Sequence, residues 1–149
     1  MKVQDLFADK NRPVHSIDGN RSVDDAITLM ADEKASALVV TKNDQPVGIF
    51  AERDVFRYYL RNKSTALSDI TLRNAMTDRL IAARPDDEVG RVIAIMVKAD
   101  IKHLPVIEEK KIVGMLTLND LIEHQLESLT DEVHQLKDYI DDLHEAGRD

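Results

Sequence analysis

The sequence predicts a mixed α/β (α+β) chain in which one helix–strand–strand–helix unit is used twice, with a long helix at the carboxyl end. Three observations predict it. The chain aligns with itself at a shift of 66 residues, each copy passes from a helical to a strand-like apolar pattern, and residues 122–149 carry a seven-residue apolar period.

The shift lays 22–55 over 88–121 without a gap, and eight of the 34 positions are identical: Val23/Val89, Ile27/Ile93, Met30/Met96, Leu38/Leu104, Val40/Val106, Val47/Val113, Gly48/Gly114 and Asp54/Asp120. A weaker echo precedes each copy, VQDLF near the start and LRNAM at 72–76, with an offset of 69. Val23, Ala26, Ile27 and Met30 recur at helical spacing, as do Val89, Val92, Ile93 and Met96, so both sets are read as core. Ser22 and Asp86 or Asp87 are the expected helix starts, because a short polar side chain satisfies an early backbone N–H. Two β-type runs follow in each copy, LVVT and VGIF, then LPVI and IVGML, joined by the polar turns KNDQ and EEKK. A second helix is expected after Asp54 and after Asp120. The polar stretch 61–69, RNKSTALSD, reads as the linker.

After Asp120 the period changes. Ile122, Leu126, Leu129, Val133, Leu136, Ile140 and Leu143 are spaced alternately four and three apart, a heptad seam with Leu126, Val133 and Ile140 at a and the others at d. β-branched residues at a with leucine at d favour a parallel two-stranded coil. Two readings stand: pairing with a second copy, or a helix folded back on its own module. His124, His134 and His144 fall at f, b and e, so they do not converge on a metal.

Composition narrows the function classes. The net charge is −8, but residues 122–149 hold nine acids against Lys137 and Arg148, leaving residues 1–121 near neutral. No basic stripe exists to follow a phosphate backbone, so nucleic acid is not an expected partner. The absence of cysteine excludes disulfides and thiolate chemistry. No apolar run suits a signal peptide or a membrane span, and a cytoplasmic address is the default expectation. Neither a serine elbow, a P-loop nor a metal-ligand spacing is present, and no enzyme is expected.

The informative place is the strand-to-helix junction, GIFAERDV and GMLTLNDL. Gly48 and Gly114 lack a Cβ and so admit close approach. The helix that follows begins with unpartnered N–H groups and a positive dipole end that welcome an anion. Thr117 offers a hydroxyl there and Arg53 a charged donor. The carboxylate of Asp54 or Asp120 could hold the paired hydroxyls of a ribose, as in dinucleotide folds. Plain capping is the alternative for each aspartate, and Asp120–Glu123 also fits a capping box. Recurrence in one register after an apolar strand and a glycine weighs toward a ligand.

These residues resemble the CBS domain, and the pair resembles a Bateman module over about residues 1–123. The chain is similar to small stand-alone bacterial CBS-pair proteins whose first repeat carries Glu52-Arg53-Asp54. The resemblance implies two βαββα units packed sheet to sheet, divided here as 1–67, 68–121 and a terminal helix 122–149. It implies a cleft taking an adenine nucleotide, AMP foremost, with ATP or NAD as further choices. In the second repeat it implies Thr117 for phosphate, Asp120 for ribose, and the strand start His103, Leu104 and Pro105 for adenine. In the first it implies Asp54 for ribose and Ala37, Leu38 and Val39 for the strand start. Ala51 stands where threonine or serine is usual, so Arg53 or Arg57 has to substitute, and the second site is expected to be the more conventional. A homodimer that signals to an unknown protein is the implied assembly. The alternative is a ligand-independent adaptor whose acidic helix docks a partner.

Overall fold

The computed structural model describes residues 1–6, 14–61 and 63–146, with side chains through Leu143. The first repeat runs β1 (Ser16–Asp18), α1 (Val23–Glu33), β2 (Ala37–Lys42), β3 (Gln45–Ala51) and α2 (Glu52–Arg61). After a short 3-10 turn (Leu67–Asp69) come α3 (Leu72–Ala75), α4 (Val89–Ala99), β4 (His103–Glu108), β5 (Lys111–Thr117) and α5 (Leu118–Ala146). The mixed α/β architecture is the expected one.

β2 is central in a three-stranded sheet, parallel to β1 and antiparallel to β3. β4 and β5 pair antiparallel in the second sheet. Ala83 bridges Val106 in parallel, just as Ile17 faces Val40 in the first repeat. Both hairpins turn through two residues of positive φ, Asn43 and Asp44 in one and Glu109 and Lys110 in the other. Such turns match the twist of the flanking strands. β3 and β5 come into contact, so the two sheets meet along these strands.

Helix starts differ in kind. The Ser22 hydroxyl oxygen accepts from the N–H of Asp25 at 3.0 Å, and the Asp25 carboxylate accepts from the Ser22 N–H, a full capping box that starts α1 as expected. α4 corrects the sequence reading. It starts after Glu88, which makes no side-chain cap, while the Asp87 carboxylate accepts from the Arg84 N–H at 2.8 Å. α2 and α5 also begin two residues before Asp54 and Asp120, not after them.

Two cores form, and their membership crosses the repeats. Val23, Ala26, Met30, Leu38, Val40 and Phe50 take in Ile70, Leu72 and Ala75, whereas Val89, Val92, Met96, Leu104, Val106, Leu116 and Leu121 take in Val3 and Leu6. The backbone repeats the exchange. Leu72 and Arg73 donate to the carbonyls of Arg21 and Gly19, and Val3 and Gln4 donate to those of Asp87 and Pro85. The weak echo in sequence is thus a leader segment that each repeat inserts into the other.

No described helix is long and apolar enough to cross a membrane.

Candidate functional site

Asp54 is the third residue of α2 and a buried carboxylate, 7% exposed. Its Oδ2 accepts the N–H of Ala51 at 2.9 Å, satisfying a backbone donor that the helix start leaves unpaired. Its Oδ1 accepts from the Thr77 hydroxyl at 3.3 Å. Thr77 reaches this spot because its backbone pairs with Ile49 of β3 through bonds of 3.1 and 2.9 Å. Gly48 makes room: a Cβ there would lie 2.6 Å from the Thr77 carbonyl oxygen. The close approach expected at this glycine is made by the chain itself.

A cleft of about 640 Å³ opens beside Asp54. The start of α2 supplies Arg53, Asp54 and Arg57, the segment 77–81 supplies Thr77 and Arg79, and the α4–β4 turn supplies Asp100, Lys102 and His103. Four cationic side chains (Arg53, Arg57, Arg79 and Lys102) face three carboxylates (Glu52, Asp54 and Asp100). Arg57, Arg79 and Lys102 enter no ion pair among the described residues. With the open N-terminus of α2, the cleft suits an anion bearing hydroxyls.

Arg53 is already engaged. Its Nη1 donates to the Asp100 carbonyl at 2.8 Å, and both Nη atoms approach the Asp100 carboxylate at 3.3 and 3.4 Å. Asp100 is the left-handed C-cap of α4, so this bridge joins the head of one repeat's helix to the tail of the other's. A second link crosses nearby, Ser36 Oγ to His103 Nε2 at 2.7 Å. Burial holds His103 below the ordinary histidine range, with Glu52 pulling its pKa up and Lys102 pushing it down.

On the second repeat Thr117 closes β5 and caps α5, its Oγ1 accepting the N–H of Asp120 at 3.1 Å. Thr117, with Asp120 three residues on, is therefore the cap, and the box expected from Asp120 to Glu123 does not begin the helix. By the two offsets, the wall that 77–81 gives the first cleft corresponds to 8–15 on this side; residues 7–13 lie outside those described.

Of the residues singled out in sequence, Asp54, Arg53 and His103 share the described cleft. The strand register sets His103 opposite Thr117, and Ala37 opposite Ala51. Leu38 and Val39 are fully buried in the central strand, and the Val39 N–H donates to His15. Ala37 is nearly buried, Leu104 belongs to the second core, and the Pro105 carbonyl accepts from Ala83. Of the six strand-start positions, Val39 and Pro105 have a backbone group taken by a neighbouring segment. Thr77, Arg79, Asp100 and Lys102 escaped the sequence reading. Thr77 had a signal, since it directly follows the LRNAM echo. No three His, Asp or Glu side chains cluster for a metal among the described residues.

The family model of the CBS domain matches residues 3–61 and 67–127. A mitochondrial CBS domain-containing protein of Arabidopsis thaliana is 31% identical over 126 residues, covering 80% of this chain; the chain spans 60% of that relative's length. The crystal structure of a CBS-domain containing protein from Agrobacterium tumefaciens superposes with a TM-score of 0.77 at 25% identity, covering 84% of this chain and 99% of that one. A CBS domain protein from Pyrobaculum aerophilum complexed with AMP shares the fold, with a TM-score of 0.70 at 21% identity over 80% of this chain and 89% of that one.

Proposed function

The chain belongs to the CBS-domain family, and on that premise we propose that it is a non-catalytic regulatory module binding an adenine nucleotide between its repeats. The observation that carries this reading is the buried Asp54 at the head of α2, bonded to the exposed Thr77 and set in an open cleft with unpaired cations. Each oxygen of Asp54 holds one protein donor and keeps a second lone pair, enough to accept the two hydroxyls of a ribose. The first N–H groups of α2 take the phosphate, with Arg57 and Arg79 in the role that a hydroxyl at position 51 would have had. The base lies toward His103, where the two repeats meet. AMP in the Pyrobaculum relative supports an adenine nucleotide, and AMP leads ATP and NAD as the ligand. A second site at Thr117 and Asp120 follows from the internal symmetry. The module acts as a homodimer and passes its state to a protein partner.

Isothermal titration of nucleotide-free protein with AMP, ADP, ATP and NAD tests this. Binding is expected, weakened at least tenfold by Asp54→Asn, which keeps the shape of the site and removes its charge. At 100 times the dissociation constant the ligand adds about 2.7 kcal/mol to folding stability. No heat from any of the four ends the nucleotide reading.

A further inference from the structure

The family match stops at residue 127, yet α5 continues to Ala146 as one unbroken 29-residue helix. Its first turn is anchored, with Leu121 fully buried and Leu118 packed on the second core. Farther on, Leu126, Leu129, Val133, Leu136, Ile140 and Leu143 are 43–64% exposed, so the helix does not fold back on its module. A contiguous apolar stripe of this length, about 33 Å over 22 residues, is not left bare by a monomer.

We propose that the stripe is covered by a second copy of this chain in a parallel, in-register two-stranded coiled coil. The strict 3.5-residue period keeps one seam facing a partner helix over three heptads. Val133 and Ile140 at a, with Leu129, Leu136 and Leu143 at d, select two strands. Charge selects the sense. In parallel register Glu132 at g faces Lys137 at e of the other copy, whereas an antiparallel pair centred on the same seam sets Glu132 against itself. In the first repeat Phe56 and Leu60 occupy the places of Ile122 and Leu126 and are also exposed, but α2 ends at Arg61, so among the described residues only α5 carries a seam. This inference rests on the homodimer in the preceding reading and not on the nucleotide.

Sedimentation equilibrium of the full chain and of a Val133→Glu, Leu136→Glu double variant is the test. Both positions are exposed, so the module itself keeps its fold and its melting transition. A dimer is expected for the full chain and a dissociation constant at least tenfold higher for the variant. Because the chain has no cysteine, Leu143→Cys reports the sense. A parallel seam brings two such sulfurs within disulfide reach, while an antiparallel one parts them by about 30 Å. A monomeric full chain overturns both this inference and the homodimer. A dimer indifferent to the double variant moves the contact elsewhere, with Phe56 and Leu60 next to be tried, and overturns this inference alone. A dimer that Leu143→Cys does not cross-link overturns the parallel arrangement.

Discussion

Gly48 on β3 and Thr77 on the segment between the repeats are in such close contact that a methyl group on Gly48 would meet the Thr77 carbonyl oxygen at 2.6 Å and the Met76 sulfur at 2.7 Å. Steric room is the whole reason for glycine here, since its φ is not positive. Gly48→Ala therefore has to push the 76–77 segment off β3, weakening both backbone bonds to Ile49 and the hydroxyl bond to Asp54. Urea denaturation should show a loss of about 1–3 kcal/mol, the usual cost of overpacking a tight contact. Nucleotide affinity should fall with it. A variant as stable as the parent would mean that the segment yields freely.

His103 makes stability depend on pH in a defined direction. Burial keeps its folded pKa below the unfolded value of about 6.5. Above that value both states are neutral and its contribution is complete. As pH falls through about 6.5 toward the lower folded value, the unfolded chain takes up the proton first and stability is lost. Melting at pH 7.5 and 5.5 should show a larger drop for the parent than for His103→Gln, which retains a polar partner for Ser36. Equal drops in the two proteins would assign the pH dependence to other groups.

The Arg53–Asp100 bridge spans the cleft but is partly exposed, at 44% and 83% for the two side chains. Pairs of this kind contribute about 0–1 kcal/mol, so Asp100→Asn should barely shift the melting temperature. Asparagine also suits the left-handed backbone at this cap. Its effect belongs to binding. With the carboxylate gone, Arg53 is free for an anion and a neighbouring negative charge is removed, so AMP should bind about three- to tenfold more tightly. Titration calorimetry at two salt concentrations decides it, and an unchanged affinity would show that Arg53 does not reach the ligand.

What could be read from the sequence followed from periodicity and self-similarity. The doubled helical and strand patterns located α1 and α4, both hairpins and the core methionines, because these depend on local burial alone. The caps of α4 and α5 were misplaced, by one and three residues. Aspartate serves equally at the cap or three positions on, and only the backbone tells Thr117 the cap from Asp120 behind it. The walls of the cleft were the least legible part. Thr77, Arg79 and Asp100 lie 23 to 46 residues from Asp54 in the chain, and no local pattern links them. At Pro105 the carbonyl of a position matched to a binding strand is already taken by the Ala83 N–H, a contact no local pattern announces.

The exchanged leaders reach further than architecture. Val3 and Leu6 complete one core while Leu72 and Ala75 complete the other, so removing either half of the chain leaves the remaining half with a hole and a stranded apolar segment. The two halves are thereby coupled, and a single calorimetric transition is the expected outcome. A disturbance on one side of the cleft has a covalent route to the other, through a segment rooted in the opposite interior.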